Sequence, residues 1–362
     1  MTASPLDWPD TERASAFSRW LADVAPLHAL QTDTVRPASA DASFRRYFRI
    51  DAASGTGSFI IMDAPPAQED CAPFVKVAAL MAEAGLNAPR VLAWDEPLGF
   101  MLLSDLGAQT MLDALGLPAE GPAHATFEPT PAHIDLYMGA VDVLVRWQLA
   151  SKPGVLPPYD DALLSRELAL FPEWYAGRHR GFAMDTALIG KLDPLFAQIR
   201  ASNLTSLDGA QVYVHRDFMP RNLMVDKNGE LGVLDFQDAV YGPITYDIAS
   251  LMRDAFLSWE EEFVLDITVR YWQKARKAGL PVGDDFGEFY RAVEWMGLQR
   301  HLKVLGIFAR LTLRDGKPRY LADAPRFMKY ARATCMRYRR LGPLMVLLDE
   351  IEGNETRVGY TF

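Results

Sequence analysis

The chain of 362 residues is 49% hydrophobic and 23% charged, the balance of a globular protein rather than a disordered or disulfide-dense one. Its 37 Lys and Arg against 47 Asp and Glu leave a formal charge of -10, which disfavours nucleic acid and anionic membrane as partners. Cys71 and Cys335 are too few for a disulfide framework or a zinc site of CxxC pairs, so reduced thiols and a cytoplasmic location are expected. The acidic, proline-interrupted start predicts no secretory signal, and no run of 18 apolar residues predicts a membrane span.

In chain order, helical periodicity over residues 10–24 is followed by β-rich runs at 44–50 and 58–62. A second helix is expected over 69–84, with Phe74, Val77, Ala78 and Met81 on one face, and then strands at 91–94 and 100–103. The sequence Leu103-Ser104-Asp105-Leu106-Gly107 closes this small α+β part and reads as a hinge, so a first domain is placed at 1–105 and a second at 106–362. Residues 116–131, rich in Gly, Pro and Ala, read as a loop. The second domain is mainly helical, with periodic segments at 134–150, 160–175, 259–278, 286–309 and 324–340.

One β-signal interrupts those helices, at 211–235, and it carries the chemistry. It contains His215-Arg216-Asp217, then Asn222, then Asp235. Asn228-Gly229 between apolar runs predicts a two-residue hairpin turn with both residues at positive φ. Counting outward from that turn sets Lys227 opposite Glu230 and Asn222 opposite Asp235. An amide oxygen and a carboxylate on one rigid ribbon are hard donors suited to Mg²⁺, which keeps few protein ligands and shares phosphate oxygens. Asp217, one short loop earlier, is placed to act as a base beside a metal-phosphate site, the arrangement of phosphoryl transfer.

With these residues in place, the sequence resembles the aminoglycoside phosphotransferase and choline kinase superfamily. The resemblance implies an α+β, two-lobed, protein-kinase-like fold with a small β-rich N-lobe and a larger helical C-lobe, using ATP and Mg²⁺. It makes Asp217 the catalytic base, His215 a brace of its loop, Asn222 and Asp235 the metal ligands, and Asp247, in Tyr246-Asp247-Ile248-Ala249, a structural carboxylate anchoring that loop. Within the superfamily, the stretches 40–49, 61–66 and 302–308 resemble the bacterial kinases that phosphorylate the anomeric hydroxyl of N-acetylmuramate and N-acetylglucosamine in cell-wall recycling. That implies a small amino-sugar acceptor as the partner besides ATP. An aminoglycoside, a choline-like alcohol or homoserine is the alternative acceptor, and a catalytically silent binding module is the alternative from another class.

Two departures stand out. Gln237 occupies the glycine position of an Asp-Phe-Gly segment, and no glycine-rich G-x-G-x-x-G loop is present. The lysine expected on the third strand to hold the nucleotide phosphates is replaced by Met62. Arg45, Arg46 and Arg49 are the candidate substitutes, beside Ser43 and Phe44 in the turn expected over the phosphates, with Ser104 and Leu106 of the hinge completing the nucleotide site. Strand alternation sets Arg45 and Arg49 on one face and Arg46 on the other. For the acceptor, Glu167, Trp174 and Arg300 are the helix residues singled out, while Trp147, Trp174, Tyr175, Trp259 and Trp295 could each offer a flat face to a sugar ring, although aromatics at helical spacing are far more often core.

Overall fold

A computed structural model describes residues 8, 10–40, 44–55, 57–117 and 127–354 of the chain. The fold is α+β, β-rich at its N-terminal end and helical beyond it. Two compact units are formed, residues 1–114 with 221–238 and residues 115–220 with 239–362, so the chain passes from one to the other three times.

The first unit is built on an antiparallel sheet of β1 (Leu30–Ala40), β2 (Arg46–Ala52), β3 (Ser58–Asp63), β4 (Val91–Asp95) and β5 (Phe100–Ser104) in the order β1-β2-β3-β5-β4. Helix α1 (Thr11–His28), started by Asp10 accepting from the Arg13 amide, lays Phe17, Trp20, Leu21 and Val24 on Phe48, Ile50, Ile61, Phe100 and Leu102 of the sheet. Strand β1 carries no strand expectation in the sequence because it is polar and contains Pro37, which an edge strand tolerates. Helix α2 (Ala72–Glu83) buries the expected face, Phe74, Val77, Ala78 and Met81, and α3 (Met111–Ala114) is a single turn.

The second unit comprises α4 (Pro131–Leu149), α5 (Asp161–Leu170) continued by a π-helical turn over Phe171–His179, α6 (Thr186–Thr205), the paired strands β6 (Gln211–Val214) and β9 (Val240–Pro243), and helices α7 (Tyr246–Met252), α8 (Glu261–Lys277), α9 (Phe286–Leu313), α10 (Ala324–Arg337) and α11 (Gly342–Glu352). Between β6 and β9 the chain contributes β7 (Leu223–Val225) and β8 (Leu231–Val233) to the first unit. Helix α6 was hidden in the sequence by Gly190 and Pro194, yet Asp185 caps it and its apolar residues Leu188, Leu192, Leu195 and Ile199 join the core.

The axis of the unit is α9, buried almost continuously from Ala292 to Ala309. It meets α5 at three levels: Gln299 donates to the Leu164 carbonyl, Lys303 reaches Glu167, and Gly306 lies against Leu170. The contacts rise together along both helices, so the two run in the same direction where they touch. Gly306 permits the contact, since a Cβ there would fall 2.4 Å from the carbonyl carbon and oxygen of Leu170.

Candidate functional site

In the second unit, β6 delivers His215, Arg216 and Asp217, and three consecutive amides of this loop are held. The His215 and Arg216 N–H groups donate to the two oxygens of Asp247 at 2.7 and 3.0 Å, and the Asp217 N–H donates to His215 Nδ1 at 3.2 Å. His215 and Asp247 are fully buried, whereas Asp217 is half-buried. Burial pushes the Asp247 carboxyl up to about 7, opposed by its two amide donors and by Arg300. Arg216 sits at φ +77°, a left-handed conformation that costs a non-glycine residue roughly 1 kcal/mol or more and persists only where surrounding contacts fix it.

The Arg216 side chain runs to Glu167 at 2.7 Å. The same Glu167 oxygen receives Lys303 Nζ at 2.8 Å, and the other receives the Tyr159 hydroxyl. Burial alone pushes the Glu167 carboxyl up, but Lys303, Arg216 and Tyr159 outweigh it and hold it below the ordinary range. Lys303 also donates to the Tyr246 hydroxyl at 3.1 Å. Glu167 is thus committed to the loop that bears Asp217.

Arg300, 2% exposed, donates to the Arg253 carbonyl at 3.1 Å, and its charge acts on the buried Asp247 and Asp254. Trp174 is in the helical core with Arg178 stacked 3.9 Å from its ring centre. Trp147, Tyr175, Trp259 and Trp295 are core residues as well. Trp259 donates to the Tyr137 hydroxyl at 2.6 Å.

In the first unit, the hairpin differs from the sequence expectation by one residue. The strands pair Leu223 with Val233, Met224 with Gly232 and Val225 with Leu231, and Leu234 N–H donates to the Asn222 carbonyl at 2.9 Å. Asn222 therefore stands opposite Leu234, not Asp235. The turn is correspondingly a three-residue loop: Gly229 N–H donates to the Asp226 carbonyl, Asp226 N–H to the Glu230 carbonyl, and only Gly229 takes positive φ, at +82°. The side chains of Asn222 and Asp235 nonetheless come together, with Asn222 Nδ2 3.4 Å from Asp235 Oδ2. The reason is local. Asp235 adopts φ +61°, which turns it out of the strand and back toward Asn222, while Gln237 Nε2 donates to its other oxygen at 2.8 Å. The hairpin is fixed within its unit by Val233 N–H on the Asn87 carbonyl, Val225 N–H on the Gln109 carbonyl and the ring of Phe236 against Phe74.

Each of the three candidate phosphate arginines has a carboxylate. Arg45 Nε donates to Glu69 Oε2 at 3.1 Å, and the other Glu69 oxygen accepts the Phe44 amide. Arg46 turns to the α1 side of the sheet, where it shares the fully buried Asp63 with Arg13. Arg49 meets Asp105 at 2.6 and 3.1 Å and the Gly107 carbonyl at 2.7 Å. Burial pushes Asp105 up, but Arg49, Ser58 and the Gly107 amide together hold it below its ordinary value. Ser104 accepts the Arg90 amide, and Leu106 packs so closely on Gly232 that a Cβ there would fall 2.8 Å from Leu106 Cδ1. Phe44 is exposed, and Ser43 lies outside the described residues. Met62, where the lysine was expected, is fully buried.

The residues that sequence reasoning left without a role are Arg216 and Lys303. Both stood inside quoted motifs, but their partner Glu167 is 49 and 136 residues away in sequence, a distance over which pattern says nothing.

An H-R-D loop pinned by a buried aspartate in one unit and an Asn–Asp pair on a hairpin of the other are residue types that phosphoryl transfer employs. Residues 34–285 match the profile of the phosphotransferase enzyme family, and the chain belongs to that family. It has the fold shared by the aminoglycoside phosphotransferases and choline kinases and acts as a phosphotransferase on a small-molecule acceptor. The N-acetylmuramate/N-acetylglucosamine kinase of Pseudomonas aeruginosa is 50% identical to it over 315 residues, covering 87% of this chain and 88% of that protein. The kinase of the same name from Neisseria meningitidis serogroup B is 48% identical over 353 residues, covering 97% of this chain and 100% of its own. Among solved structures, an ethanolamine kinase of Plasmodium vivax superposes with a TM-score of 0.59 at 12% identity, covering 94% of each chain. No helix among the described residues is long and apolar enough to cross a membrane.

Proposed function

We propose that the protein transfers the γ-phosphoryl group of ATP to the anomeric hydroxyl of N-acetylmuramate or N-acetylglucosamine. What supports this reading is the 48% identity to a kinase of those two sugars along 97% of the chain, together with the presence of Asp217, Asn222 and Asp235.

In this reading Asp217 accepts the proton of the acceptor hydroxyl as the new oxygen–phosphorus bond forms and the bond from the γ-phosphorus to the bridging oxygen breaks, releasing ADP. His215 and Asp247 fix the backbone from which Asp217 projects, so that most of the acceleration comes from positioning. Asn222 and Asp235 suit Mg²⁺ arriving with the nucleotide: one amide and one carboxylate, adjacent and outward-facing, leave most coordination positions to phosphate and water. Mg²⁺ held there supplies charge neutralisation on the phosphates. Among the described residues no cluster of three His, Cys, Asp or Glu forms a denser metal site. Arg45, Arg46 and Arg49 stay the candidate phosphate cations, each held by a carboxylate, Glu69, Asp63 and Asp105 respectively.

The test is incubation with Mg²⁺ and ATP against N-acetylmuramate, N-acetylglucosamine, choline, homoserine and kanamycin, with products identified by phosphorus NMR. A sugar 1-phosphate is expected from the amino sugars; phosphorylation of a different acceptor alone would discard them. Asp217→Asn should keep ATP binding and lose at least ~10²-fold in kcat.

A further inference from the structure

We infer that Glu167 is a positioning residue for phosphoryl transfer, acting through Arg216 on the backbone that carries Asp217. The inference rests on the reading of Asp217 as the proton acceptor.

Arg216 occupies a conformation unfavourable to its residue type. At φ +77° the residue between His215 and Asp217 would be accommodated without cost as glycine, and the chain instead places arginine there. A side chain retained at such a position has work that glycine cannot do. The guanidinium of Arg216 leaves the loop and reaches α5, where Glu167 receives it at 2.7 Å. The Glu167 carboxylate is itself held: it is buried, Tyr159 donates to one oxygen, and Lys303 from α9 shares the other. Helices α5 and α9 are in turn locked together one turn further on by the contact of Gly306 with Leu170. The loop is consequently tied at two ends, through its amides to Asp247 on α7 and through the Arg216 side chain to the α5–α9 pair.

The two ties differ in what they fix. Asp247 holds the amides of His215 and Arg216. The Arg216–Glu167 pair fixes the rotation of the loop about that point, because it restrains a side chain that leaves the backbone one residue before Asp217. A slip of the order of 1 Å at a reacting oxygen costs about 10²-fold in rate. Loss of this tie should therefore appear in kcat and leave substrate binding alone.

Arg216→Gly removes the tie. It relieves the left-handed strain and leaves Glu167 held by Lys303 and Tyr159, but it also takes away a largely buried guanidinium and its other contacts. The expected result is a folded protein of lower melting temperature whose kcat, measured well below that midpoint, is lower by about tenfold or more with both KM values within about twofold. Glu167→Gln should likewise lower kcat with both KM values kept, at a further cost in stability because it leaves Arg216 and Lys303 without their carboxylate, and the double variant Glu167→Gln/Arg216→Gly should turn over no more slowly than Arg216→Gly alone, because both substitutions remove one interaction. Wild-type kcat in Arg216→Gly overturns the inference. So does an Arg216→Gly protein that fails to fold, since the pair is then a requirement of the fold, or a parallel rise in both KM values. Asp217→Asn, measured alongside, reads the underlying assignment separately: if it retains turnover, the base is lost and the inference with it, whereas an inactive Asp217→Asn beside a fully active Arg216→Gly removes the inference alone.

Discussion

Gly306→Ala tests the helix contact on which the Glu167 cluster depends. The added Cβ meets the Leu170 carbonyl carbon and oxygen at 2.4 Å and the Leu170 Cβ at 2.6 Å, against an ordinary carbon–carbon contact of about 3.5 to 4.0 Å. Two of the three obstacles are backbone, so no rotamer change relieves them and α9 must move away from α5 by roughly 1 Å. Overpacking of this kind costs up to ~3 kcal/mol, and alanine returns ~1 kcal/mol through its helix preference, for a net loss of about 2 kcal/mol. With a urea slope of ~3 kcal/mol/M the unfolding midpoint should fall by about 0.7 M. The same displacement stretches the 2.8 Å bond from Lys303 to Glu167 beyond hydrogen-bonding range, so kcat should fall in the folded variant as well. Gly297→Ala, nine residues earlier in the same helix, is the control. Its Cβ would meet only the His301 side chain, Nε2 at 3.3 Å and Cε1 at 3.9 Å, a contact that a movement of a few tenths of an ångström relieves. Gly297→Ala should be neutral, or more stable by up to ~1 kcal/mol. A Gly306→Ala protein that unfolds at or above the wild-type midpoint would refute the argument, whatever its activity.

Removal of Asp63 should be costly for a different reason. Its carboxylate is fully buried and receives both Arg13 and Arg46, whose side chains are 13% and 27% exposed, so Asp63→Asn strands two partly buried cations. A loss of about 2 to 3 kcal/mol is expected by urea unfolding, and Arg13→Ala should cost less because Asp63 keeps Arg46; the reverse order would contradict the assignment. The pH dependence of stability should carry a signature of Glu261. Burial pushes this carboxyl up, but Arg253, Tyr290 and Arg337 outweigh it and bring it down to about 2. A carboxylate depressed from about 4.5 in the unfolded chain contributes stability in full above that pH and loses it as the pH falls toward 2. Glu261→Gln should flatten the acid limb of the midpoint-against-pH curve between 4.5 and 2; an unchanged limb would show that other groups set it.

The contrast between the hairpin and the Glu167 cluster shows what this sequence states openly and what it does not. The apolar runs and Asn228-Gly229 made the hairpin legible, and the pairing of Asn222 with Asp235 side chains was reached from them. The route was wrong by one residue. A two-residue turn and a three-residue loop ending in left-handed glycine share the same Asn-Gly signal, and the choice between them shifts the register by one. The side chains meet because Asp235 leaves strand geometry at φ +61°, a compensation that no periodicity encodes. Helices with unbroken periodicity, such as α2 and α9, were readable, whereas α6 with its Gly190 and Pro194, and β1 with Pro37, were masked by residues that normally end such elements.

Glu167 shows the deeper limit. As a sequence position it was one acidic residue on an amphipathic helix, and an acceptor-binding role was as good a guess as any. In the fold it is held by Tyr159, Arg216 and Lys303, drawn from the segment before α5, the His215–Asp217 loop and α9. A buried carboxylate survives only with such partners, and partners assembled from three stretches of chain cannot be read from any one of them. The motifs Asp217, Asn222 and Asp235 were legible for the opposite reason: the chemistry requires their types at short spacing on one continuous segment. The candidate reacting groups are therefore written locally, and the contacts around Glu167 are written in the packing of α5 against α9, where a single glycine decides how closely the two helices approach.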